Sequence, residues 1–143
     1  MVRRYINWQH VLEEQTKGGK KKIIDVMNLD YVNDHLRATD DIEPLDISDM
    51  SNDIKSIVFR GMRIPCSEYI QFYRENDVLL LSAIRQPRTR ERCVILYHNR
   101  VFITQREYRS GVWGYRGIRS AEVFVTEDEI DYYFGYVVAV RHE

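Results

Sequence analysis

Hydrophobic positions change their period part-way along this chain. Up to about residue 58 they recur at helical spacing. Asn7 can cap a short helix that carries Trp8, Val11 and Leu12 on one side, with Lys17-Gly18-Gly19-Lys20 ending it. A second helix is expected over residues 28–38, where Leu29, Val32 and Leu36 share a face. An acidic linker with Pro44 follows, and Met50, Ile54, Ile57 and Val58 predict one or two further helical turns that run into a strand. Beyond Gly61 and Pro65 the pattern shortens. Residues 67–76 fit one more helix, but 78–84, 93–97, 101–104, 121–125 and 136–140 are β-branched or aromatic runs bounded by turn residues, and they read as strands. His98-Asn99 has the character of a hairpin turn, because Asn tolerates positive φ. Residues 110–117, with Gly111, Gly114 and Gly117, read as a glycine-spaced loop. Helices followed by a mostly antiparallel sheet make an α+β arrangement, and the chain carries no internal repeat.

The 143 residues, 44% hydrophobic and 30% charged, fit a single folded domain with one core. Cys66 and Cys93 lie far apart with no Cys or His at metal-ligand spacing, which predicts reduced thiols and neither a disulfide framework nor a zinc site. Met1-Val2-Arg3-Arg4 is basic, but Asn7, Gln9, His10, Glu13 and Glu14 occupy the place of the apolar stretch that a signal peptide needs. No window approaches the roughly 18–20 apolar residues of a membrane span. The expectation is a soluble cytoplasmic protein. A net charge of -1 hides a bipolar chain: residues 23–55 hold nine acids and two bases, and residues 85–119 hold nine arginines and two glutamates. Such runs are ordinarily solvated surface. An arginine run interleaved with Tyr97, Phe102, Tyr108, Trp113 and Tyr115 also fits an anionic ligand, either nucleic acid or a pyrophosphate.

The usual signatures of phosphate loops, dinucleotide turns, zinc proteases and nucleophile elbows are missing. The four histidines at 10, 35, 98 and 142 are scattered, which speaks against metal catalysis. Three features remain, in a fixed order. Ile57-Val58-Phe59-Arg60-Gly61 is an apolar strand ending in arginine and glycine. Leu79-Leu80-Leu81-Ser82-Ala83-Ile84 is a buried strand with one hydroxyl. Phe124-Val125-Thr126-Glu127-Asp128-Glu129 ends in two glutamates. Each alone has a plain structural account: an exposed strand-end arginine, a serine bonded to backbone, and Thr126 capping an acidic first turn.

Taken together, the three resemble the R-S-E class of ADP-ribosyltransferases, which includes clostridial binary-toxin enzymes and enzymes that tailed phages use to modify host proteins. The matching positions are Arg60-Gly61, Ser82-Ala83-Ile84 and Glu127-Asp128-Glu129. Tyr31-Val32-Asn33-Asp34-His35-Leu36-Arg37 looks like the Asn-x-x-Leu-Arg helix of that family, and Arg116-Gly117-Ile118-Arg119-Ser120 matches its course ahead of the glutamates. The likeness covers about residues 28–141, with 1–27 as a helical extension. Ile84 stands where the family has a serine, and the interval from Arg60 to Ser82 is short.

The resemblance implies an α+β fold of the ADP-ribosyltransferase type and an NAD-dependent mono-ADP-ribosyltransferase acting on a protein acceptor, in the host cytoplasm if the source is a phage. NAD would be the substrate and no metal would be needed. Glu129 would stabilise the oxocarbenium-like ribose as nicotinamide leaves, with Ser82 holding its rotamer. Arg60 would bind the phosphates or ribose through its planar fork, and Gly61 would let the backbone approach the nicotinamide amide. Glu127 would select an arginine acceptor by a charge-assisted pair. Arg85, Arg88 and Arg90, directly after the Ser82 strand, would neutralise the pyrophosphate. Two other readings stand beside this one. A nucleic-acid-binding module would use the basic run and stack Trp113, Tyr115 or Tyr108 on bases. An inactive transferase-like fold would act as a protein-binding inhibitor.

Overall fold

A computed structural model of the chain describes residues 21–69, 71–119 and 122–143. In chain order the elements are β1 (Ile23–Asn28), β2 (Asp30–Val32), β3 (His35–Arg37), β4 (Ile42–Asp46), α1 (Asn52–Lys55), β5 (Arg60–Arg63), β6 (Val78–Ser82), β7 (Arg92–Tyr97), β8 (Arg100–Arg109), β9 (Val112–Gly117), β10 (Phe124–Thr126) and β11 (Tyr132–Arg141). Strand accounts for 51% of the described residues and helix for 3%, so the expected α+β class with leading helices is incorrect. The fold is a curled, mixed β-sheet. The expected helix after Asn7 lies outside the described residues.

The second expected helix, 28–38, is the hairpin β2–β3. Asn33 and Asp34, at φ 53° and 66°, form its turn, and the pairs Asp30–Arg37, Tyr31–Leu36 and Val32–His35 follow from it. Two consecutive left-handed residues suit the right-handed twist of paired strands and break a helix. Leu29 and Leu36 are both buried, so their spacing reflects two sides of a hairpin and not one helix face. Residues 67–69 and 71–76 form bends and turns, with a bond from Tyr73 N to Tyr69 O, in place of the further helix. Helical structure does occur at α1, where the hydroxyl of Ser51 accepts from Ile54 N. The expected strands from residue 78 onward are present as β6, β7, β8, β10 and β11. His98 and Asn99, at φ 51° and 63°, turn β7 into β8, and Ser110 and Gly111 turn β8 into β9 in the same way. The expected loop 113–117 is strand β9. Gly114 is needed there for space, since a Cβ would lie 2.6 Å from the Phe124 ring.

The sheet runs β10-β9-β8-β7-β11-β6-β5-β1-β4, with β1–β5 parallel and the other pairings antiparallel. It curls until β3 meets β8 through one pair, Leu36 with Val101. One face of the curl packs Leu36, Met62, Leu81, Val94, Val101, Ile103 and Phe134 together. The opposite face carries two further cores. Ile24, Val26, Val78 and Leu80 are covered by Ile47, Val58 and the α1 segment. Cys93, Ile95 and Tyr136 are covered by Tyr115 and Val125, because the ten-residue β8 carries β9 and β10 back over the sheet. Strand β11 bends to serve both sides. Its register slips between Tyr133 and Gly135 and again between Val137 and Ala139, and Gly135 has φ 139° with the Ser82 carbonyl 2.7 Å from where a Cβ would sit.

Candidate functional site

Arg60 opens β5 and stands in register with Leu81 of β6. Paired residues share a face and adjacent residues on a strand face opposite ways. Arg60 therefore lies on the Leu81 face, and Ser82 points to the other. On its face the Arg60 guanidinium is 4.8 Å from the Phe59 ring and 5.6 Å from those of Tyr132 and Phe134, and it donates to the Tyr132 hydroxyl at 3.2 Å. Ser82 is fully buried opposite Tyr136, and its hydroxyl accepts from Ile84 N at 3.4 Å. Gly61 is close-packed: a Cβ would lie 2.9 Å from Val78 Cγ1 and 3.1 Å from Val26 Cγ2. The space beside its backbone is filled by core side chains.

The two glutamates also separate. The Glu129 carboxylate accepts from Thr126 N at 2.9 Å and lies 2.7 Å from the Thr126 hydroxyl, and these interactions hold it below the usual carboxylate range. That is half of a capping box, formed in a turn that leads to β11 and starts no helix. Glu127 pairs with Arg106 at 3.3 Å. Arg106 also donates to Pro87 O and Gln86 Oε1 and stacks 4.2 Å over Trp113, so Glu127 and the loop 83–91 meet at one guanidinium. Arg85 is bound by both oxygens of Glu91, at 2.7 and 2.9 Å, and stacks 4.1 Å over Tyr136. Arg88 contributes its backbone N–H to Glu91, and Arg90 holds a left-handed turn at φ 68°. Arg85, Glu127 and Ser82 thus belong to the β9–β10 side of the sheet, and Arg60 to the opposite face.

The arginine run has a structural account. Arg85, Arg106, Arg109, Arg116 and Arg119 make ion pairs. Arg92 donates to the Tyr73 hydroxyl and lies 5.0 Å over Phe72. Arg116 ties β9 to β8 through Glu107, and Arg109 of β8 lies 4.4 Å over the Phe124 ring of β10. Cys93 is buried, and burial pushes its thiol up to about 12, which makes it unreactive. Among the described residues, no cluster of His, Cys, Asp and Glu could hold a metal ion, and no helix is long and apolar enough to cross a membrane.

A groove lies where β3 meets β8. One cavity of about 270 Å³ is lined by Asp34, His35 and Arg100 together with Val101, Phe102, Ile103 and Val123. A second of about 250 Å³ is lined by Glu68, Gln71, Phe72 and Ile118. Arg119 lines both. Its guanidinium donates to the Tyr31 hydroxyl at 2.9 Å and stacks 5.2 Å over the Tyr69 ring. The carboxylate it pairs with, that of Glu68, is 3.8 Å away and half exposed. The closest ion pairs of Arg85 and Arg109 measure 2.7 Å, and that of Arg116 measures 2.9 Å. Arg119 is therefore oriented by two tyrosines and only loosely neutralised. Reading the sequence missed this site because residues 31, 34, 69, 100 and 119 have no shared spacing. The one available signal was Asn33-Asp34 as a hairpin turn, which would have brought Asp34 and His35 to a loop tip. The sequence matches no protein-family model and no curated protein.

Proposed function

We propose that this chain is a non-catalytic binding domain that holds an anionic side chain of a partner protein in the groove at Arg119. The observation that carries the reading is the Arg119 guanidinium itself, fixed by the Tyr31 hydroxyl and the Tyr69 ring, in a side chain that lines two cavities, and paired with a distant carboxylate. An exposed pair of that length contributes about 0–1 kcal/mol. An incoming carboxylate in bidentate contact would displace Glu68 at little cost and gain a charge-assisted pair. Pre-orientation by tyrosines lowers the entropy lost on binding.

The transferase reading rests on the order of three motifs. It is the weaker one because Arg60 and Ser82 face opposite sides of the sheet and Glu129 is engaged by Thr126. Nucleic-acid binding is weakened by the pairing of Arg85, Arg106, Arg109 and Arg116, four of the nine arginines, within the fold.

The test is a backbone-amide NMR titration with N-acetyl-glutamate methylamide, beside an incubation with NAD. The reading expects shifts focused on Tyr31, Tyr69 and Arg119 and lost in Arg119→Gln, with no release of nicotinamide. Shifts unchanged by that substitution would overturn it. Nicotinamide release that disappears in Glu129→Ala would restore the transferase.

A further inference from the structure

We infer that Glu68 is a built-in competitor at Arg119, a side-chain gate whose carboxylate holds the guanidinium in the free protein and rotates away when a partner's carboxylate arrives. This inference rests on the binding reading above and adds the regulation of that site. The two terminal nitrogens of Arg119 are divided between neighbours. Nη1 donates to the Tyr31 hydroxyl at 2.9 Å, and Nη2 faces the Glu68 carboxylate at 3.8 Å. A hydrogen bond from nitrogen to oxygen closes at about 2.7–3.2 Å. Glu68 is thus near enough to attract the charge and too far to saturate the donor. Both two-point contacts open to a guanidinium, through Nε with Nη2 or through Nη1 with Nη2, use Nη2. Glu68 and an incoming carboxylate therefore meet at the same nitrogen.

Consecutive residues of one turn divide the work. Tyr69 is buried and holds its ring centroid 5.2 Å from the guanidinium, so it stays in place to orient Arg119. The Glu68 side chain is half exposed and can turn into solvent without disturbing that packing. An exposed ion pair of this kind is weak, which sets the strength of the gate: the site is blocked for between half and about five-sixths of the time, and the apparent affinity for an anion falls by about two- to sixfold. Asp34 supplies an internal comparison, because it borders the first cavity with Arg119 without pairing with it. Neutralising Asp34 changes the surrounding field, whereas neutralising Glu68 also removes the competitor.

The test is an NMR titration of N-acetyl-glutamate methylamide into the 143-residue wild type, Glu68→Gln and Asp34→Asn, each checked for native circular dichroism. Glu68→Gln keeps the size of the side chain and removes its charge, and should tighten the apparent Kd by about two- to sixfold. Asp34→Asn should tighten it by clearly less. Before any ligand is added, the Arg119 Nε–H resonance should already move in Glu68→Gln and stay in place in Asp34→Asn. Affinity unchanged or weakened in Glu68→Gln would overturn the inference. Equal tightening in the two variants would also overturn it, since it would mean that the field alone acts. Binding to wild type that is lost in Arg119→Gln, together with an unaltered Kd in Glu68→Gln, would leave the binding reading standing without the gate. Absence of binding to both wild type and Glu68→Gln would remove the reading and the gate together, so the two failures are separable.

Discussion

Arg60 sits in register with Leu81 and is one residue out of step with Ser82, so the two side chains lie on opposite faces of the same sheet. A ligand touching both would have to pass through paired backbone. Residue order along a chain can match a catalytic pattern while strand parity keeps the side chains apart.

Energetic independence of Arg60 and Ser82 follows. Arg60→Ala removes three ring interactions and the bond to Tyr132, and should cost about 1–2 kcal/mol. Ser82→Ala should cost about 1 kcal/mol or less, since the substitution deletes a long, weak hydrogen bond from Ile84 N. In a double-mutant cycle followed by urea unfolding, the coupling should stay below about 0.5 kcal/mol. Coupling well above that value would mean that the two act as a unit.

Gly61 is held by packing. Gly61→Ala would press a methyl against Val78 and Val26, and should destabilise by about 1–3 kcal/mol. Adding Val78→Ala to Gly61→Ala should recover part of that loss in the same unfolding assay. No recovery would show that the glycine is required for another reason.

Arg106 fastens the loop 83–91 to the β9–β10 side. Arg106→Met removes its bonds to Pro87, Gln86 and Glu127, and should cost about 2–3 kcal/mol. Trypsin should then cut at Arg88 and Arg90 faster than in wild type. Unchanged cleavage would mean that the backbone bond from Arg90 N to Arg106 O is enough to hold the loop.

Stability should depend on pH through Glu91, whose carboxyl is held low by the Arg85 side chain. A carboxyl depressed in the folded state stabilises fully above its unfolded pKa, about 4.3, and that stability is lost as pH falls through the folded value. Glu91→Gln should therefore flatten the stability profile below about pH 4.3 relative to wild type. Equal slopes for both proteins would remove Glu91 from the acid response.

Much of the strand half was legible because short β-branched runs and turn residues agree there. Val78 to Ser82 is apolar up to its closing serine and is buried throughout. The signal that identifies His98-Asn99 as a turn is present equally at Asn33-Asp34, but Leu29, Val32 and Leu36 mimic a helical stripe there and hide it. The sheet's leading half was misread for that reason. At Thr126 the capping signal was real at the level of side chains, since Glu129 does reach back to the Thr126 N–H, yet the chain continues into β11. The groove at Arg119 was not legible. It exists because the sheet curls until Leu36 meets Val101, a tertiary event that draws together residues 31, 69 and 119.

The central claim, that the Arg119 guanidinium is available to a partner, is tested most directly by following the arginine Nε–H resonances while N-acetyl-glutamate methylamide is added. The Arg119 resonance should move and saturate, while those of Arg85, Arg106 and Arg116, already paired within the fold, stay in place. A stationary Arg119 resonance, or arginines that all move together, would contradict the account.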